Sequence, residues 1–262
     1  MSLEAEELRA VAVPGPGDGT PPYGLVGLCL SLVAIVGIAT ALAAAGCATA
    51  ALVEIVERGW SGFRSEVSTF VAERDEASTQ LALVLASLLA YAAVTAAVLI
   101  MARWRAGAAW RSLIAWRPWR PDRTFWALAA LTIVYNIAVS ALLSDVYPHS
   151  RDWVSVPHSA LGGVLFFLLA VVFAPITEEI VFRGWIYTSL KPRLGVVPGI
   201  LVVSAVFAFL HYESSHLYAL AVFPVGLALA YVRERGGSLK ASISFHAVFN
   251  GFAFALAYLA IG

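Results

Sequence analysis

Charge is what this 262-residue chain has least of: Asp, Glu, Lys and Arg together make up 13% of it, against 60% hydrophobic residues. So small a polar complement excludes a soluble domain of ordinary composition. An excess of either sign is missing too, with 17 basic against 17 acidic residues, and the basic ones are spread over loops, which argues against nucleic acid as a partner. Only two cysteines occur, Cys29 and Cys47, both in the first apolar run. Thiols there pack as small hydrophobes, and they say nothing about redox compartment. The apolar runs lack the period-two alternation of a lipid-facing strand. No GxSxG elbow is present, which argues against a serine hydrolase of the familiar type.

What the chain does have is several runs of about 20 residues without a charge, long enough to cross a bilayer as helices. The fold class that follows is all-α, a polytopic transmembrane helical bundle of about seven spans. Residues 1–22 read as a disordered tail, polar, acidic and rich in Pro and Gly. Within the tail, Gly15-Pro16-Gly17-Asp18 matches the GxGD string of intramembrane aspartyl proteases by chance, because that chemistry needs its Asp inside the membrane. Tyr23 to Val53 forms the first span. It is too long for the apolar region of a signal peptide and follows no basic segment, so Ala45-Gly46-Cys47 is discounted as a lipoprotein cleavage site.

Glu54 to Ser78 reads as an extramembrane loop. Thr79 to Ala102 is the second span, and Arg103 to Arg123 is a basic aromatic segment, with Trp104, Trp110, Trp116 and Trp119 among its arginines, suited to lipid headgroups. Phe125 to Ser144 is the third span, followed by a loop to His158 in which His149 and His158 read as solvated. The fourth runs from Ala160 to about Leu190, then a basic turn from Lys191 to Gly195. Val196 to Leu210 is the fifth and Leu217 to Val232 the sixth. A basic loop from Arg233 to Lys240 leads to the seventh, Ala241 to Ile261. Alternating the loops puts 12 of the 17 basic residues on one side, which is then cytoplasmic together with the N-terminus, in an integral membrane protein of the cell membrane. By domain, residues 1–22 are the tail, 23–159 the N-terminal spans and loops, and 160–262 the core that carries the polar residues.

Three polar islands interrupt that core. The first is Thr177-Glu178-Glu179-Ile180-Val181-Phe182-Arg183, where ionisable groups inside an apolar run are expensive and mark function. On a helix Glu179 and Arg183 share a face and can pair, whereas Glu178 projects about 100° away without that partner. The spacing separates one structural carboxylate from one free carboxylate. The second island is His211, closing Phe207-Ala208-Phe209-Leu210-His211. The third is His246 with Asn250, again four apart on one helix. At 1.5 Å per residue, Glu178, His211 and Asn250 lie roughly 20, 21 and 15 Å from the basic side, similar depths for residues that have to meet. A carboxylate, two imidazoles and an amide can activate water and hold an oxyanion. The near-match His211-Tyr212-Glu213-Ser214-Ser215-His216 is not an HExxH zinc helix, since its histidines are five apart and the Glu is misplaced. Glu213 and His216 read as lining a turn at the far membrane face.

EExxxR, FxxxH and HxxxN, in that order on successive apolar segments, resembles the CPBP family, the CAAX-protease and bacteriocin-processing group that includes the type II CAAX prenyl endopeptidases. The resemblance covers about Ala160 to Gly262. It implies a helical bundle around a membrane cavity open to the cytosol, and intramembrane proteolysis. By position it implies that Glu178, with His211, activates a water, that His246 and Asn250 stabilise the oxyanion, and that Glu179 and Arg183 support the site. Some members carry a further His where this chain has Ser214. The family is often labelled metalloprotease, and Glu178, His211 and His246 could ligate zinc through three positions; the cofactor is either zinc or none. The expected partners are membrane lipid and a peptide or protein substrate, lipid-modified if the family name applies. The alternative is a non-catalytic membrane protein of the same fold, acting in bacteriocin immunity or as a scaffold. A transporter fits less well, because no inverted repeat is visible.

Overall fold

The computed structural model describes residues 76–143, 160–211 and 216–259, with isolated positions 24, 27, 31 and 37. The expected tail, nearly all of the first span with Cys29 and Cys47, most of the Glu54 loop, and the loop holding His149 and His158 lie outside the described residues, as does Glu213. The described chain is helical throughout its regular structure: α1 Glu76–Ala106, α2 Trp110–Leu113, α3 Arg123–Leu143, α4 Ala160–Leu194, α5 Val196–Leu210, α6 His216–Gly236 and α7 Leu239–Leu259. Five of these are long and apolar enough to cross a membrane, and α5 is a shorter apolar helix. Large apolar side chains such as Leu89, Leu142, Phe209 and Leu259 face outward. That outer surface has no place in water, and the protein is an integral membrane protein.

Several boundaries differ from the sequence reading. The basic turn after the fourth span is the last turn of α4, which continues through Lys191, Pro192 and Arg193 and ends at Gly195. Gly195 has φ +83° and its N–H returns to Lys191 O at 2.9 Å, a left-handed stop that glycine adopts without penalty. The basic loop before the seventh span is almost entirely helix as well: Arg233 to Gly236 finish α6, and Lys240 already lies in α7. His216 opens α6 and is not part of a turn.

The basic helix ends meet on one face. Lys191 Nζ reaches Glu234 Oε1 at 2.7 Å, Arg235 pairs with Asp122 at 2.9 Å, and the Lys240 ammonium stands 5.2 Å over the Trp116 ring. Ser238 Oγ donates to Arg117 O at 2.7 Å, and Leu239 N donates to Ala115 O at 2.9 Å. The last of these bonds satisfies an N–H at the start of α7, and so fixes the height at which α7 enters the bundle. Beneath this face Ile114, Trp185, Tyr187, Phe207, Leu229, Leu239 and Phe245 form a fully buried core. From Leu239 the rise of about 1.5 Å per residue carries α7 inward to His246.

Helix α4 is not uniform. It widens into π-helix over Leu168–Phe173 and again over Ile180–Ile186, on either side of Ala174–Glu179. Pro175 accounts for the first widening. Its ring would clash with the carbonyl of Val171 in a regular α-helix, and in the wider turn Ala174 N bonds Leu169 O instead. The next bond in that series would run from residue 175 to Ala170 O, and proline has no N–H to make it.

Candidate active site

The two glutamates of α4 have opposite surroundings. Glu179 is fully buried, and its Oε1 receives Arg183 Nη1 at 2.9 Å and faces His246 Nδ1 at 3.1 Å. Arg183, buried as completely, spends its other terminal nitrogen on Gly226 O at 2.9 Å, and its guanidinium lies 4.5 Å over the Phe207 ring. A carboxylate and a guanidinium this far from solvent are held by pairing with each other and with fixed dipoles, while Glu179 Oε2 and Arg183 Nε make no hydrogen bond among the described residues. Gly226 also lets α6 lie close to α5: a Cβ there would stand 3.3 Å from Ser204 Cα and O. The sequence expectation of an i,i+4 pair is what the structure shows.

Glu178 points elsewhere. Its Oε1 accepts from the Tyr91 hydroxyl of α1 at 2.9 Å. Its Oε2 lies 4.0 Å from His211 Nε2 and 3.8 Å from His246 Nε2. Both gaps exceed hydrogen-bond length, and an oxygen about 2.8 Å from each group could sit between them. Glu178 and His211 keep part of their side chains exposed, at 15% and 28%, while His246 is at 6%.

The imidazole tautomers follow from their second partners. His211 Nδ1 is 2.7 Å from Phe207 O. A carbonyl only accepts, so Nδ1 carries a hydrogen, and Nε2 is the nitrogen turned toward Glu178. His246 Nδ1 faces a carboxylate that Arg183 already holds, so Nδ1 donates there and Nε2 is the nitrogen turned toward Glu178. Phe207 ties the two imidazoles together, with its ring 4.3 Å from that of His211 and 6.1 Å from that of His246.

Asn250 is one turn further along α7. Its Nδ2 donates to Ala170 O at 2.8 Å, the carbonyl for which Pro175 has no N–H. Glu178, His211 and His246 thus come together around Glu178 Oε2, and the contact of Asn250 is with the bend of α4.

An apolar cavity of about 360 Å³ opens beside Glu178. Tyr91 and Val94 of α1, Val181 and Ile186 of α4, and Val206 and Leu210 of α5 contribute to its walls, which are mainly apolar and which Thr177 and Glu178 also border. Helix α1 is fastened along this cavity by a chain of hydroxyls. Thr95 Oγ1 and Thr177 Oγ1 are 2.6 Å apart, and Thr177 Oγ1 donates to Tyr91 O at 3.3 Å. Tyr91, Thr95, Pro175 and Phe207 were not singled out by the sequence reading as functional side chains. The signal was there for the first two, hydroxyls four residues apart on one face of an otherwise apolar span.

The donor set tests whether a metal fits. Carboxylate and imidazole are suitable zinc ligands, but donors about 2.1 Å from a tetrahedral ion stand about 3.4 Å from one another. The observed separations are wider at 3.8 and 4.0 Å, and one Glu178 oxygen is taken by Tyr91. Among the described residues no group of three or more His, Cys, Asp or Glu side chains is disposed to hold a metal ion.

Residues 160–252 match the family model described as type II CAAX prenyl endopeptidase Rce1-like. No curated protein and no solved structure matches the chain. The matched segment takes in the EExxxR, FxxxH and HxxxN residues and leaves out α1.

Proposed function

We propose that the protein is an intramembrane endopeptidase of the CAAX-protease kind, and that Glu178 and His211 activate the water that attacks the scissile peptide bond. The observation that carries this reading is the meeting of Glu178 Oε2 with two imidazole nitrogens at 4.0 and 3.8 Å inside a membrane bundle, in the segment that matches an endopeptidase family. Water between these groups gives a proton to Glu178, with His211 Nε2 accepting a hydrogen bond from the same water. The hydroxide adds to the carbonyl carbon. The oxyanion that forms takes a hydrogen bond from His246 Nε2 when that ring is protonated, with Glu179 compensating the charge through Nδ1. Asn250 holds Ala170 O with one amide hydrogen and offers the second to the oxyanion. Glu178 then passes its proton to the leaving nitrogen as the C–N bond breaks, giving a carboxylic acid and an amine, which become carboxylate and ammonium when the acid's proton moves to the amine.

The apolar cavity beside Glu178 favours a substrate with an apolar group near the cut, a lipid-modified peptide among them. The side that carries the basic helix ends is assigned to the cytoplasm, by the excess of Lys and Arg there.

Glu178→Ala and His211→Ala, each expressed at wild-type level, should abolish cleavage of a membrane-anchored peptide. Full cleavage by both variants would contradict the proposal. A wild-type protein that never cleaves, and whose cellular effect survives both changes, would favour a non-catalytic scaffold or immunity protein of the same fold.

A further inference from the structure

We infer that α1 supplies a working part of the site: Tyr91 is a positioning residue that fixes which Glu178 oxygen acts as the base. This rests on the proposed role of Glu178 and extends it to a helix outside the matched segment 160–252. The Tyr91 hydroxyl donates to Glu178 Oε1 at 2.9 Å, while Oε2 is the oxygen that faces both imidazoles. A free glutamate side chain turns about three torsions and presents either oxygen in many directions. Tying Oε1 leaves Oε2 aimed at the gap between His211 and His246, the orientation that proton abstraction requires.

The tether is itself held. Thr95, one turn after Tyr91, meets the hydroxyl of Thr177, and Thr177 donates to Tyr91 O. Thr177 immediately precedes Glu178, so this chain of hydroxyls sets the height of α1 against the residue that Tyr91 has to reach. The tyrosine ring meanwhile lines the apolar cavity. One side chain therefore borders the space assigned to the substrate and orients the base. On this inference the working unit does not begin at Ala160, and a fragment limited to residues 160–262 lacks part of its site.

The test uses the full chain in proteoliposomes and a membrane-anchored peptide, with Glu178→Gln assayed alongside. Tyr91→Phe keeps the ring and removes the hydroxyl. Loss of one charge-assisted hydrogen bond should lower kcat about tenfold or more, with KM within about twofold and a melting temperature close to wild type. Tyr91→His, which keeps a ring and a donor, should recover part of the rate. If Tyr91→Phe turns over at the wild-type kcat while Glu178→Gln is inactive, the Tyr91 inference falls and the Glu178 reading stands. If Glu178→Gln itself keeps the wild-type rate, both fall. A KM rise together with a large drop in melting temperature would make Tyr91 a packing residue and overturn the inference. Should Tyr91→Phe not be recovered folded, Tyr91→His against Tyr91→Leu carries the test, and equal losses in the two overturn it.

Discussion

Asn250 makes the hydrogen bond that Pro175 cannot. The carbonyl of Ala170 is left without its helical partner where α4 widens ahead of the proline, and Asn250 Nδ2 fills that place at 2.8 Å. The amide of the HxxxN motif is thereby committed to the shape of α4 four residues before the segment that ends in Glu178 and Glu179. The contact braces the widened turn that leads into the glutamates.

This relationship gives a test that separates structure from chemistry at Asn250. Asn250→Ala strands a carbonyl in an apolar interior and should cost about 1–3 kcal/mol, read as a lower melting temperature in detergent. Pro175→Ala restores an N–H to the helix, so the double variant should recover most of that loss. If Asn250 also serves the oxyanion, the double variant regains stability and stays slow. Recovery of both stability and rate would leave Asn250 with the structural role alone.

Arg183 should resist even conservative change. Its two terminal nitrogens go to different partners, Glu179 Oε1 and Gly226 O, and a lysine ammonium cannot reproduce that fork. Arg183→Met leaves the Glu179 carboxylate buried without its charge partner, at a cost of about 3–5 kcal/mol. The expected order of folded yield is wild type, then Arg183→Lys, then Arg183→Met. Glu179→Gln with Arg183→Met removes both charges and should be recovered better than Arg183→Met alone, yet be inactive because His246 has lost its carboxylate.

Gly226→Ala tests the spacing of α5 and α6. The added Cβ meets the backbone of Ser204 at 3.3 Å, so α5 has to shift by a few tenths of an ångström. Overpacking of this sort costs about 1–3 kcal/mol. Because His211 follows directly on α5, turnover should fall further than the melting temperature alone would explain. A variant that melts lower and turns over normally would show that the position of His211 tolerates the shift.

Orientation is open to labelling. With Cys29 and Cys47 replaced by alanine, a single cysteine at the exposed position of Arg120 should react with an impermeant thiol reagent only after the membrane is opened from the cytoplasmic side. Labelling of intact cells from outside would invert the assignment.

Much of this architecture was legible in the sequence because the membrane restricts the choices. An apolar run of about 20 residues has to be a helix, and the expected α5 boundaries, Val196 to Leu210, coincide with the observed ones. The i,i+4 rule separated Glu179 with Arg183 from Glu178, and the order of the three islands brought out His211 and His246. What could not be read was the part that α1 plays beside the glutamates. Tyr91 and Glu178 are 87 residues apart, and no local pattern encodes their meeting. The π-helical turns escaped too, because a helical period was assumed through Pro175. The helix ends were placed short, since Lys, Arg and Gly were read as loop while the basic side chains were pairing across the last turns, as Lys191 does with Glu234.

The proposed mechanism depends most on Glu178 being the base. The direct measurement is the single-turnover rate of peptide-bond cleavage by Glu178→Gln in proteoliposomes, with substrate binding measured on the same preparation. The predicted result is unchanged binding with cleavage slower by about a thousandfold, within the range general-base loss produces. Cleavage by Glu178→Gln at the wild-type rate would contradict it.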